Sequence, residues 1–248
     1  MSGFGPVFRR EMLALWVTPL AWILLTVFLV LQGTSYYLVV RHLSLAPSLS
    51  ADDGPVQAYF GQSMFLIVSL LLLCPALTMR LFAEEKRSGT LETLLTAPVS
   101  PVGVVLGKFL AVLATYVLMW VPTVLYIVIL RGTNAIEWPV VGSSYLGVVG
   151  VGAGYLAVGL LMSTLTRSQL VAFLLTTSVA FGLFIFGIGE YVFDPGPLLD
   201  TCSYVSVFSQ MEELSKGIVD LRRLVFDATL VALPLFVSVR VVESWRWG

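Results

Sequence analysis

The sequence predicts an all-α integral membrane protein with six transmembrane helices and three short helices outside them. Three observations carry this. Of the 248 residues, 58% are hydrophobic, and the mean hydropathy is +0.93. Charged residues make up 12%, against about 25% in soluble domains. Six apolar runs reach the roughly 20 residues that a helix needs to cross a hydrocarbon core about 30 Å thick. A water-soluble enzyme of this composition could not cover its apolar side chains, and that class is excluded.

The first span is read over residues 18–40, with Thr18 as N-cap and Pro19 at the first helical position. Its length exceeds the roughly 7–15 apolar residues of a cleaved signal core. The others are read over 58–79, 106–130, 142–165, 169–189 and 224–242. Together they form one membrane domain over 1–248, with 1–17 as a surface helix, 80–105 as the longest inner segment and 190–223 as an outer segment. An even number of spans puts both ends on one side. Nine Lys/Arg fall in the segments on that side (Arg9, Arg10, Arg80, Lys86, Arg87, Lys108, Arg167, Arg240, Arg246) and five on the other. The positive-inside rule therefore assigns both termini to the cytoplasm.

Outside the spans, residues 4–16 set Phe4, Phe8, Met12, Leu15 and Trp16 against Arg9, Arg10 and Glu11, as an amphipathic helix on the inner leaflet does. Residues 204–214 repeat the pattern on the outside. There Tyr204, Val207, Phe208, Met211 and Leu214 are expected to face lipid or the mouth of a pathway, as a short surface or re-entrant helix. The loop between the first two spans is too short for a large external domain. In the fourth span, Gly147, Gly150, Gly154 and Ala157 form a small-residue stripe for close helix contact. Packing inside one subunit is its simpler use and a dimer seam the other. Gly182, Gly187 and Gly189 are expected to loosen the outer end of the fifth span beside a pathway. Tyr36, Tyr59, Tyr126, Trp138, Tyr145, Tyr191 and Trp245 read as interface anchors, and Asp227 as an acid reaching the outer interface.

The chain carries no chemistry of its own that its residues reveal. One histidine and two cysteines cannot supply the usual metal-ligand sets. Cys74 lies in an apolar run and Cys202 in a polar stretch, so a disulfide between them is not expected. A net charge of −1 offers no basic face to nucleic acid. The stretch Gly103-Val-Val-Leu-Gly107-Lys108-Phe109 lacks the spacing and the hydroxyl residue of a phosphate-binding loop, and reads as a membrane helix entering the bilayer. Spans two to five hold no ionisable residue between their ends, which disfavours ion-driven transport. The paired Glu84-Glu85 lacks the intramembrane histidines that a membrane protease needs, because His42 lies outside the spans. Energy for any transport must come from a partner.

The inner segment from Arg80 to Pro101 is the most informative. The second span's helix is expected to continue through the charged turn Glu84–Arg87 and to close at a left-handed Gly89. Thr90 then caps a new short helix with Glu92 in its first turn. Leu91, Leu94 and Leu95 share one face, and Ala97-Pro98 ends it. Ser100-Pro101 starts the third membrane helix. The run Glu85-x-Arg87-x-Gly89-Thr90-x-Glu92-x-Leu94-Leu95-x-x-Pro98 closely resembles the cytoplasmic signature of type-2 ABC transporter permeases. Its compact form is most similar to the gliding-motility-associated branch. The resemblance implies that Glu84, Glu85, Arg87, Gly89, Thr90, Leu91, Glu92, Leu94 and Leu95 form a coupling helix and its approach, seated in a groove of a separate ATPase. It also implies two ATPase copies holding ATP and Mg, a second permease copy or paralogue, and an auxiliary membrane protein. This chain itself would bind no cofactor. A mechanical transmitter without cargo and a passive scaffold are the other readings of such a chain.

Overall fold

A computed structural model describes residues 4–45, 54–61, 63–89, 100–131 and 137–245. The described residues form helices joined by turns, with no strand among them, and six segments are long and apolar enough to cross a membrane. The N-terminal helix Phe4–Val17 turns at Thr18 into the first span, Pro19–Leu45. A short helix, Pro55–Phe60, precedes the second span, Met64–Ser88, whose main helix Met64–Thr78 turns into a helix over Ala83–Ser88. The third span runs Pro101–Trp120, tightens over Val121–Thr123 and continues as Val124–Arg131. The fourth is Trp138–Leu165 and the fifth Gln169–Ile188. Two helices of the segment read as outer, Pro197–Val205 and Val207–Ser215 (called the outer helices from here on), lead to the sixth span, Leu221–Ser244.

Several boundaries depart from the sequence reading. Residues 58–60 belong to the short helix before the second span, because Ser63 is extended (φ −83°, ψ 108°) and separates the two. The second span continues into the charged helix through a bend and not as one unbroken helix: Met64–Thr78 and Ala83–Ser88 are joined by a turn over 79–82, and together they make up the candidate span Met64–Ser88. The third membrane helix does start at Ser100-Pro101, as read, five residues before its apolar run, and there the Ser100 hydroxyl accepts a hydrogen bond from the Gly103 amide at 3.1 Å. It is interrupted at Pro122, which has no amide to donate. The fourth and sixth spans also begin earlier, at Trp138 and Leu221. The fifth is not loosened at Gly182 or Gly187; its helix passes both unbroken and tightens only at Gly189–Tyr191.

The fourth span is the central strut. It touches the second, third, fifth and sixth spans and the second outer helix. Its glycines therefore face several neighbours rather than one. A β-carbon at Gly147 would lie 2.2 Å from Met211 Cε, one at Gly150 2.7 Å from Asp227 Oδ2, and one at Gly154 2.6 Å from Leu230 Cδ2. Ala157 is fully buried. The stripe thus faces the second outer helix and the sixth span of the same subunit. On other sides of the helix, Gly152 meets the Tyr116 ring and Gly159 meets Thr78.

The outer segment differs from expectation in kind. The single helix read over 204–214 is two helices meeting at Ser206, whose hydroxyl accepts from the Ser209 amide. Tyr204 lies on the first and donates to the Arg222 carbonyl at 2.7 Å. Val207, Met211 and Leu214 are buried within the protein rather than facing lipid, and Phe208 packs on Phe184 of the fifth span. Asp227 does not reach the interface either. It is buried and accepts from Gln210 Nε2 at 2.6 Å. Two of the aromatic anchors are also internal. Tyr59 is buried and donates to Gln32, and Tyr145 bonds Thr123 and packs on Phe60 and Trp120.

Candidate coupling site

The two described chain ends lie on one face. Arg10 of the N-terminal helix meets Glu85, and Trp245, after the sixth span, lies under Lys86 and against Phe82. Their common element is the helix Ala83–Ser88. It stops at Gly89, which adopts φ 72°, ψ 1°, a left-handed conformation that costs an ordinary residue free energy and glycine little. The assigned residues Thr90, Leu91, Glu92, Leu94 and Leu95 lie outside the described residues. Glu84 and Arg87 are exposed on this helix, and Glu85 turns inward.

Four elements fix this short helix. The Ser163 hydroxyl at the end of the fourth span accepts from the Phe82 and Ala83 amides at 3.0 and 3.2 Å, serving donors that a helix start leaves open. Lys86 donates to the Thr164 carbonyl and sits 3.9 Å from the Trp245 ring centroid. Arg80 donates to the Ala14 carbonyl of the N-terminal helix at 3.0 Å. The fourth element is the third span, through Lys108.

Lys108 Nζ is 3.0 Å from Glu11 Oε1 and 2.9 Å from Glu85 Oε1, and donates to the Leu81 carbonyl at 2.7 Å. Arg10 meets the same two carboxylate oxygens at 2.9 and 2.5 Å. Two acids and two cations alternate, so the group is neutral. The lysine side chain is 1% exposed and the Arg10 side chain 58%. The interior pair therefore acts in a low dielectric while Arg10 is screened by water. Burial opposes ionisation of Glu11, but Lys108 and then Arg10 outweigh it and hold the carboxyl below its ordinary value. Removing one partner from such a buried group costs about 3–5 kcal/mol, because the others keep their charge without compensation. A cleft of about 310 Å³ opens beside the group, between the N-terminal helix and Glu84, Glu85 and Ser88.

Close seating of the N-terminal helix depends on Gly107, the second glycine of the false phosphate loop. A β-carbon there would lie 3.0 Å from Val7 Cγ1 and 3.3 Å from the Phe4 carbonyl.

Of the residues assigned from sequence, Glu84, Glu85, Arg87 and Gly89 share this site. The outer helix residues and the fourth-span stripe belong to other parts of the fold. The reading of residues 4–16 placed Glu11 with the arginines on the water side, and the structure buries it between Val7 and Leu15. A signal existed. Val7, Glu11 and Leu15 follow at four-residue steps, so the acid interrupts an apolar row. Lys108 likewise has Val104, Val105, Ala111 and Val112 at its helical neighbour positions, and so needs an acid from another element.

No curated protein matches the chain. A family model described as ABC-2 family transporter protein matches residues 45–214, more than two-thirds of the sequence. With six apolar candidate spans and the anchored helix Ala83–Ser88 already in place, this match settles the class: the chain belongs to the ABC-2 family of transporter membrane proteins.

Proposed function

We propose that the chain is the permease subunit of an ATP-driven exporter, and that the segment from Glu84 to Leu95 receives the motion of a separate ATPase. The observation that carries this is the family match together with an inner helix held to four other elements and ended by a left-handed glycine. A helix that only tidied a loop would not need such anchoring. Force applied beyond Gly89 would pass directly into the third, fourth and sixth spans and the N-terminal helix.

In this reading the chain lies in the cell membrane with both termini in the cytoplasm, as the Lys/Arg distribution favours. Two ATPase subunits dock below and hold ATP and Mg. A second permease, identical or paralogous, completes the pathway. The likeness to the gliding-motility-associated branch, carried by the segment's sequence, would add an auxiliary membrane protein.

The leucines supply the test. Burying Leu91, Leu94 and Leu95 in a partner groove would contribute about 1.5–3 kcal/mol for each fully buried side chain. Leu94→Asp or Leu95→Asp is expected to abolish co-purification of a co-expressed ATPase while the chain still inserts. Full ATPase retention by both variants would refute the assignment.

A further inference from the structure

We propose that Lys108 is a positioning residue for ATP-driven movement, tying the N-terminal helix and the turn before Gly89 to the third span as one moving unit. The proposal rests on the coupling reading above and adds to it the path by which force reaches the third span. Among the described residues, Lys108 is the group at which the three elements meet. Its ammonium holds an acid from the N-terminal helix, an acid from Ala83–Ser88 and the Leu81 carbonyl of the turn between them. The contacts through Ser163 and Lys86 lead into the fourth span and reach the third only through the packing between those two spans.

Two features make the lysine suited to this. Its side chain is only 1% exposed, so its ion pairs are little weakened by water or salt. It also emerges one residue from Gly107, where the N-terminal helix sits closest. Apolar residues of similar volume commonly stabilise a fold as well as a buried ion pair does. What charges add at this position is direction, since each nitrogen–oxygen contact fixes one element relative to another. Arg10 doubles the link to both acids from the water side, but its ion pairs are to Glu11 and Glu85, neither of which lies on the third span. In this scheme Lys108 does not touch the ATPase. It stands behind the ATPase-facing residues and carries their displacement inward.

The test uses the full permease–ATPase complex in lipid nanodiscs. Spin labels at Val102→Cys and Arg167→Cys, both at exposed positions, report the separation of the third span from the fourth–fifth connection. Cys74 and Cys202 are replaced by alanine. A nucleotide-dependent change in label separation is expected in the otherwise native chain. The double variant Lys108→Met/Glu11→Gln removes one acid and one cation and leaves Arg10 paired with Glu85. It is expected to retain the ATPase and to lose the change. The conservative variant Lys108→Arg keeps a cation between the two acids, with the adjoining cleft to take its longer side chain, and is expected to keep the change, so that the loss in the double variant follows the charge and not the volume. Should the double variant keep the full change, or the arginine variant lose it, the proposal is overturned while the coupling reading stands. Should the native chain retrieve no ATPase, the coupling reading falls and takes the proposal with it.

Discussion

A methyl group at Gly159 is expected to destabilise the bundle by about 1–3 kcal/mol, the usual cost of overfilling a packed core. Gly159 lies where the second, fourth and fifth spans converge. A β-carbon there would stand 2.1 Å from Thr78 Oγ1, 2.9 Å from Thr78 Cβ and 3.0 Å from Thr176 Cγ2, whereas carbon pairs prefer about 3.5–4.0 Å. Neither threonine can yield easily. Both are fully buried, and their hydroxyls donate to the Cys74 and Ala172 carbonyls at 2.7 Å. Branching at the β-carbon further restricts their rotamers. Gly182 on the fifth span is the control, because a β-carbon there meets nothing within 4 Å. Alanine at that position should stabilise the helix by about 0.5–1 kcal/mol through its lower backbone entropy. Thermal stability in detergent, followed by the monodisperse peak on size exclusion, should therefore rank Gly182→Ala above the native chain and Gly159→Ala below it. A Gly159→Ala variant as stable as Gly182→Ala would show that the three helices are not as close as described.

Three further outcomes are expected. The Glu11 carboxyl is held below its ordinary value of 4.5, so the unfolded chain takes up that proton first as the pH falls. Its contribution is full above that value and is lost as pH drops through the depressed folded value; melting in detergent should fall with acidification below pH 4.5, and less steeply in Glu11→Gln. Met211→Asp places a charge in a site that is 1% exposed and should prevent recovery of folded protein, whereas Glu212→Ala, at the surface, should melt close to the native chain. Equal melting of the two would contradict the internal position of the second outer helix. Single cysteines at Ser88 and Ser203, with Cys74 and Cys202 replaced, should react with an impermeant thiol reagent from the inside and the outside respectively. Labelling of position 88 in intact cells would reverse the proposed orientation.

Sequence alone determined the class, the number of spans and the local punctuation. A membrane helix is a local object whose apolar residues are contiguous, so hydropathy finds it without knowledge of its neighbours. The Ser100-Pro101 start and the left-handed Gly89 were legible for the same reason, since each follows from adjacent residues. Only the tertiary structure decided which apolar faces meet protein. The spacing of Val207, Met211 and Leu214 marks a face, but lipid and protein interiors are equally apolar, so periodicity cannot tell one from the other. Here the neighbouring Gly147 makes room for Met211 and Leu214, and the face turns inward. The ion group was hidden by distance along the chain, with Glu11, Glu85 and Lys108 on three elements. The sequence marked Lys108 as a cation without an acid on its own helix. Folding chose its partners, because a buried charge pairs with whichever opposite charge the packing of helices brings within reach.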